Sequence, residues 1–199
     1  MTLLELPSET LRERSIPVLE TERLVLRAPR LEDAKAVAVL ANDRRIAENT
    51  RRIPHPYTCA DAEDFIAAVK AAGGETAFLI TLSDSTLIGA CGLNMTEGPA
   101  HEIGYWLGVP FWGKGFGTEA ARALIDYAFT ELGHDALQAG ARVTNPASRR
   151  ILEKCGFQWT GVGLCRVRAL ASSAPIDRFR LDRGLWTSLK SWGPVRRVA

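Results

Sequence analysis

Val109-Pro110-Phe111-Trp112-Gly113-Lys114-Gly115-Phe116-Gly117-Thr118-Glu119-Ala120 is the stretch that decides the fold. The apolar run Glu102–Val109 leads into it. After it, Ala121, Leu124, Ile125, Ala128 and Leu132 recur at helical spacing until Gly133 supplies a stop. Three glycines at alternate positions keep side chains off the backbone amides, and a helix starting near Gly115 offers unsatisfied N–H groups and the positive end of its dipole. The stretch therefore reads as a cradle for a phosphorylated ligand. It is not a Walker loop, because Lys114 lies between the glycines and no Gly-Lys-Ser/Thr follows. It is not a dinucleotide fingerprint either, since the order is Gly-x-Gly-x-Gly and lies far from the first strand.

Residues 1–18 mix prolines with charges and read as an irregular arm ahead of a strand near Glu22–Ala28. Pro29 and Asp33 open a helix with Ala34, Val37, Ala38 and Ala41 on one face, and Asp61 starts another that Gly73 and Gly74 stop. Between them Arg51–Tyr57 reads as a loop beside a site. Ala77–Leu82 and Leu87–Asn94 form a hairpin, and Glu102–Val109 continues an antiparallel meander. Leu137–Val143 is a strand, Pro146–Cys155 a short helix capped by Asn145, and Phe157–Arg168 a strand. A loop at Ala169–Pro175, a last strand at Asp177–Leu181 and a helical turn at Leu185–Trp192 complete the pattern.

At 199 residues, 46% of them hydrophobic, the chain has the length and core material of one domain. No run reaches the length of a membrane span, and Glu5 and Glu9 occupy the place of a signal peptide's basic start, so the chain reads as cytoplasmic. Cys59, Cys91, Cys155 and Cys165 contain no Cys-x-x-Cys pair and sit in apolar settings, which predicts buried free thiols and no metal site. A net charge of +2 without a basic stripe of interleaved aromatics disfavours nucleic acid as a partner.

The glycine stretch resembles motif A of the GCN5-related N-acetyltransferases, the GNAT superfamily, with Gly115 and Gly117 on its two small positions. Trp112 stands where that motif has Gln or Arg, a substitution similar to the RimJ/RimL-like branch. Leu19-Glu20-Thr21-Glu22-Arg23-Leu24-Val25-Leu26-Arg27 is like the branch's opening strand, and Asn145-Pro146-Ala147-Ser148 through Gly156-Phe157 is like its closing motif. The resemblance implies a mixed α/β (α+β) acyl-CoA N-acyltransferase fold: a mostly antiparallel central sheet flanked by helices. The domain would span residues 19–192, with the arm before it and a basic tail at 193–199. It further implies acetyl-CoA as cosubstrate, no metal, an amine acceptor with protein N-termini among the candidates, and a monomer or homodimer.

On that resemblance the pyrophosphate of acetyl-CoA lies on the amides of Lys114, Gly115, Phe116, Gly117 and Thr118, with Gly113 also at the cofactor, and its pantetheine arm pairs with Leu107–Val109. Lys114 can add a charge, Trp112 and Phe116 can cover the ligand or simply anchor the loop, and the Asn145 amide can hold the arm. Glu102 is the candidate base, directly or through water, with His101 second; an ordinary ion pair with an arginine is the plainer reading of a lone strand carboxylate. The family's usual acid, a tyrosine four positions before Gly156, is replaced by Leu152, which leaves Ser148 as a candidate or no acid at all, since a thiol pKa of about 8.5 lets thiolate leave unprotonated. Tyr105 and Trp106 point to opposite faces of one strand, and Tyr105 is taken as the substrate-side residue. Arg52 and His55, with Arg51, can receive a carboxylate or acidic peptide, although a solvated basic loop is the plainer reading. An α-amine is the expected acceptor; another small-molecule amine (polyamine, antibiotic or toxin) and a silent coenzyme-A-binding sensor are the alternatives.

Overall fold

The computed structural model describes residues 16–71, 76–95, 100–190 and 196–198. The expected first strand is two strands. Leu24 N–H bonds to Thr21 Oγ1, and the turn this makes separates β1 (Val18–Glu20) from β2 (Leu24–Arg27). Helix α1 (Ala34–Ala41) buries Ala34, Val37, Ala38 and Ala41, the face the periodicity predicts. A short α2 (Arg44–Ala47), capped by the Asp43 carboxylate on Arg45 N–H, precedes α3 (Cys59–Ala71); the glycines expected to stop α3 lie outside the described residues. Strands β3 (Thr76–Leu82), β4 (Leu87–Asn94) and β5 (His101–Leu107) form the antiparallel meander. Helix α4 (Phe116–Thr130), β6 (Ala136–Arg142), α5 (Pro146–Lys154) and β7 (Gln158–Val167) follow.

Three expectations shift toward the C-terminus. The segment Ala169–Pro175 is not a loop: a tight turn at Arg168–Leu170, with Ala171 at φ 49°, reverses the chain so that β8 (Ser172–Asp182) pairs along all of β7. Arg183 N–H caps back onto Asp135 O, so the last helix, α6, occupies Arg183–Leu189. Within the segment read as a basic tail, β9 (Arg196–Val198) pairs antiparallel with β1. Among the described residues nine strands make one sheet in the order β7-β8-β6-β5-β4-β3-β2-β1-β9.

Alternation along the strands sends side chains to two layers. On one face α4 lies almost fully buried, with Ala121, Leu124, Ile125 and Phe129 against Phe78, Ile80, Leu93 and Leu137. The buried Trp186 of α6 donates to Asp126 on α4 at 2.8 Å, which satisfies a carboxylate inside this layer. On the other face α1 and α3 cover Leu79, Ala90 and Trp106, forming a smaller core. Among the described residues α1 and α3 pack on the β3–β5 side, while Gly140 of β6 and Arg178 and Arg180 of β8 stay exposed on this face, an open floor.

Candidate active site

Among the described residues β5 and β6 are the one parallel pair, and their register runs from His101↔Leu137 through Glu102↔Gln138 to Ile103↔Ala139. Beyond Ile103 the two strands part while β5 continues to Leu107 against β4. The parting opens a cleft of about 1870 Å³ through the middle of the sheet, lined by both strands, the glycine loop and α5. Backbone groups of Gly104–Leu107 that point toward β6 thereby lack a strand partner; Leu107 O is taken by the Trp112 indole, and the others are available to an extended ligand.

The loop at the end of β5 has the form the glycines predict. Gly113 and Gly115 take φ values of 75° and 84°, the left-handed region, and Gly115 is the N-cap of α4. Among the described residues, Trp112, Thr118 and Glu119 N–H find backbone acceptors, whereas the amides of Lys114, Gly115, Phe116 and Gly117 have none. Four successive amides without a backbone acceptor at the start of a fifteen-residue helix fit an anion such as a pyrophosphate. Gly117 has a different reason to be glycine: a Cβ there would meet Ile151 Cδ1 of α5 at 2.9 Å and Leu107 Cδ1 at 3.6 Å. It lets α4 pack on α5, so a bulky residue there acts first on packing.

The loop's side chains do structural work. The Trp112 indole donates to Leu107 O at 2.7 Å, tying the loop to the end of β5 while the ring remains 44% exposed at the cleft. Phe116 lies under the Arg23 guanidinium at 4.7 Å, and the Lys114 ammonium lies over Phe111 at 5.7 Å. Lys114 and Val109 do not line the cleft; Leu107, Trp112, Gly113, Phe116 and Thr118 do. A clamp that sequence reasoning did not identify holds this loop: the Glu119 carboxylate accepts from Thr21 Oγ1, Arg23 N–H and the Arg23 guanidinium, which also donates to Lys114 O.

Glu102 is on the open-floor face one residue before the strands part. Its Oε2 pairs with Arg51 Nη1 at 2.6 Å, and its Oε1 faces Gly140 of β6, whose ideal Cβ would lie 3.5 Å away. Across the β4 ladder its partner is Asn94, which accepts from Arg52. Arg51 and Arg52 thus bring the loop before α3 to the Glu102 side of the cleft. His55 is exposed and does not line the cleft. His101 points to the opposite face, where its ring stacks on His134 at 4.0 Å, away from Glu102.

Tyr105 and Trp106 separate as alternation requires. Trp106 packs into the α1–α3 core, and Tyr105 packs on the α4–α5 side, its hydroxyl 3.0 Å from Ser148 Oγ. Burial pushes the Tyr105 phenol well above its ordinary value, so it stays protonated. Ser148 N–H is capped by Asn145 Oδ1 at 3.1 Å, which leaves the Asn145 amide nitrogen for a ligand. Leu152, at the position of the missing tyrosine, is 1% exposed in the core. Of the cysteines, Cys91, Cys155 and Cys165 are buried, but Cys59 is exposed, because the first turn of α3 faces solvent. Among the described residues no group of three or more His, Cys, Asp or Glu converges, and no helix is long and apolar enough to cross a membrane.

Residues 23–158 match the family model described as "Acetyltransferase (GNAT) domain". An uncharacterized N-acetyltransferase, p20, from Bacillus licheniformis is 35% identical over 150 residues, covering 72% of this chain and 84% of the relative. Among solved structures, Mycobacterium smegmatis RimJ in complex with CoA-disulfide superposes with a TM-score of 0.73 at 20% identity, covering 87% of this chain and 89% of that one. Spermidine N-acetyltransferase from Vibrio cholerae, in complex with CoA and spermine, does so with a TM-score of 0.72 at 22% identity, over 84% of this chain and 99% of that one. At these identities the two structures establish the fold alone.

Proposed function

We propose, from the premise that this chain belongs to the GNAT acetyltransferase family and is an acetyl-CoA-dependent N-acetyltransferase, that its acceptor is an α-amine on a protein N-terminus or an amino-acid-like molecule. The opening strand, glycine motif and closing motif favour the RimJ/RimL-like branch. One observation carries the reading: the Glu102 carboxylate stands on the strand that runs into the amide cradle, at the point where β5 and β6 part. Acetyl-CoA supplies an acetyl thioester, which needs a neutral amine to attack it. The loop amides and the free edge of β5 hold the donor, and Trp112, Phe116 and the Asn145 amide wall its channel. Glu102 receives the amine proton through Oε1, while Arg51 fixes the orientation of the carboxylate. Ser148, bonded to the protonated Tyr105 phenol, donates toward the leaving sulfur from the α5 side.

A single carboxylate suits an α-amine. Its pKa of about 7.7–8.0, against about 10.4 for lysine, makes the reactive neutral form hundreds of times more abundant near neutrality. Glu102→Gln should lower kcat by about 10²-fold with coenzyme A affinity unchanged, and the loss should shrink as pH rises past the amine pKa. A pH-independent loss, or none, contradicts the role. Acetylation of a free-N-terminus peptide, its N-blocked lysine counterpart and free amino acids, read together by mass spectrometry, tests the acceptor: modification confined to lysine overturns it. A silent coenzyme-A-binding module is the alternative, favoured by the burial of Leu152 at the usual acid's position, and it requires no turnover in that assay.

A further inference from the structure

Beyond Glu102, the open floor of the sheet is built of glycine. Gly140 of β6 lies beside the Glu102 carboxylate, and its partner across the ladder to β8 is Arg178. On β8, Asp177, Phe179 and Leu181 turn into the buried layer, so Ile176, Arg178 and Arg180 face the floor. A Cβ on Gly140 would touch only Ile176 Cδ1 at 3.4 Å and Glu102 Oε1 at 3.5 Å, both ordinary contacts, and no left-handed φ demands glycine there. Packing therefore does not explain the missing side chain. Gly104, next along β5 on the same face, is equally open, its ideal Cβ meeting only the Asn94 amide at 3.5 Å.

Arg178 borders this bare patch. Its guanidinium lies flat on Gly163 of β7, so close that an ideal Cβ there would stand 2.6 Å from the guanidinium carbon. Among the described residues the Arg178 guanidinium has no hydrogen bond or ion pair, whereas Arg180 is engaged by Asp182, Arg51 by Glu102 and Arg168 by Asp61. The cleft as a whole is lined by nine basic side chains and only three acidic ones, Asp61, Asp64 and Glu102, which disfavours a polycation.

The Glu102 carboxylate beside Gly140 and the unpaired Arg178 guanidinium, which lies beyond β8 over Gly163 of β7, face one open floor and match the two charged ends of an amino-acid-like unit. We infer that the acceptor carries a carboxylate close to its amine, and that Arg178 receives this carboxylate across Gly140 while Glu102 takes the amine. The inference rests on the reading that Glu102 faces the acceptor's amine. It sets the substrate class: a free amino acid through its α-carboxylate, or a peptide N-terminus with an acidic second residue. A planar, permanently charged guanidinium can bind either bidentately.

Calorimetric titration of the coenzyme-A-saturated protein separates the two sources. One panel sets free amino acids against their amides; the other sets dipeptide amides with Asp at the second position against their Asn counterparts. In one panel the carboxylate member should bind about tenfold tighter, a preference that falls within about twofold in Arg178→Gln. Gly163→Ala, which displaces the guanidinium without deleting its charge, should weaken the preference similarly. Gly140→Val fills the gap and should abolish acceptor binding while coenzyme A affinity stays unchanged. No carboxylate preference in either panel, or a preference that survives Arg178→Gln, overturns the inference. Carboxylate-selective binding without acetyl transfer would refute the proposed activity and leave this site standing, whereas transfer to α-amines regardless of a neighbouring carboxylate would refute this site alone.

Discussion

Glu119→Gln should loosen the glycine loop by releasing the turn between β1 and β2. The Glu119 side chain is 16% exposed, and its carboxylate accepts from Thr21 Oγ1 at 2.7 Å, Arg23 N–H at 2.9 Å, Arg23 Nε at 2.7 Å and Arg23 Nη2 at 2.6 Å. Hydrogen bonds to a charged group contribute about 1.5–3 kcal/mol each when shielded. The Arg23 guanidinium is 45% exposed, so solvent screens its share to about 0.5–1 kcal/mol. Glutamine can keep one of the remaining bonds through its carbonyl oxygen, which leaves a net loss of about 2–3 kcal/mol. For a chain of this length each kcal/mol lowers Tm by about 2–4 °C, so the variant should melt about 5–10 °C below the parent near neutral pH. Burial raises the Glu119 carboxyl pKa, but the Thr21 hydroxyl, then the Arg23 N–H and guanidinium, outweigh it and hold the group below its usual value. The stabilisation is therefore complete above about pH 4.3 and is lost as pH falls through the lowered folded value. Thermal unfolding of both proteins from neutral pH down to about pH 3 measures this, with coenzyme A titration alongside, where affinity should drop several-fold because Arg23 also holds Lys114 O. A Tm unchanged at neutral pH, or a gap that stays constant into acid, would refute the clamp.

Other substitutions divide loop chemistry from packing. Gly115→Val forces a β-branched residue to φ 84° and brings its Cβ to 3.3 Å from Arg23, so coenzyme A affinity should fall about tenfold or more by calorimetry; unchanged affinity in a folded variant would remove the loop from the donor site. Gly117→Val should instead lower stability by about 1–3 kcal/mol in urea unfolding, through its collision with Ile151. Ser148→Ala should cut kcat by about tenfold with donor affinity unchanged, and an unaltered kcat would leave the thiolate to depart unassisted. In the native protein Cys59 alone should react rapidly with a thiol reagent, and all four cysteines should react after denaturation.

The parts of the fold that were legible in sequence are those set by local chemistry. The helix starting at Gly115, the antiparallel meander and the Asn145 cap follow from glycine freedom, period-two alternation and side-chain capping within a few residues. The β1–β2 break was hidden because Thr21 closes its turn with a hydroxyl, without glycine or proline at its centre. Ala171 was likewise invisible as a reversal point, because a non-glycine residue in the left-handed region leaves no compositional mark. The site's long-range pairs were beyond local reading: Arg51 with Glu102, Thr21 and Arg23 with Glu119, and Tyr105 with Ser148 depend on which strands become neighbours. In sequence Glu102 reads as either a base or an ion-pair partner, and the geometry has the ion pair while leaving Oε1 turned toward the gap. Arg178 left no signal in sequence, since its place over Gly163 depends on the β7–β8 register, which a bulge at Trp159–Gly161 shifts.

The short β5–β6 register has a consequence for how the molecule holds together. Among the described residues, three ladder pairs join the β7-β8-β6 part of the sheet to the other six strands. A ligand extended along β5 would act as a substitute strand, so that the mechanical continuity of the sheet depends on a small molecule. Amide exchange at Gly104–Leu107 should then slow on adding coenzyme A. Stability becomes a function of metabolite level, gaining about 2.7 kcal/mol when the donor stands at a hundred times its dissociation constant.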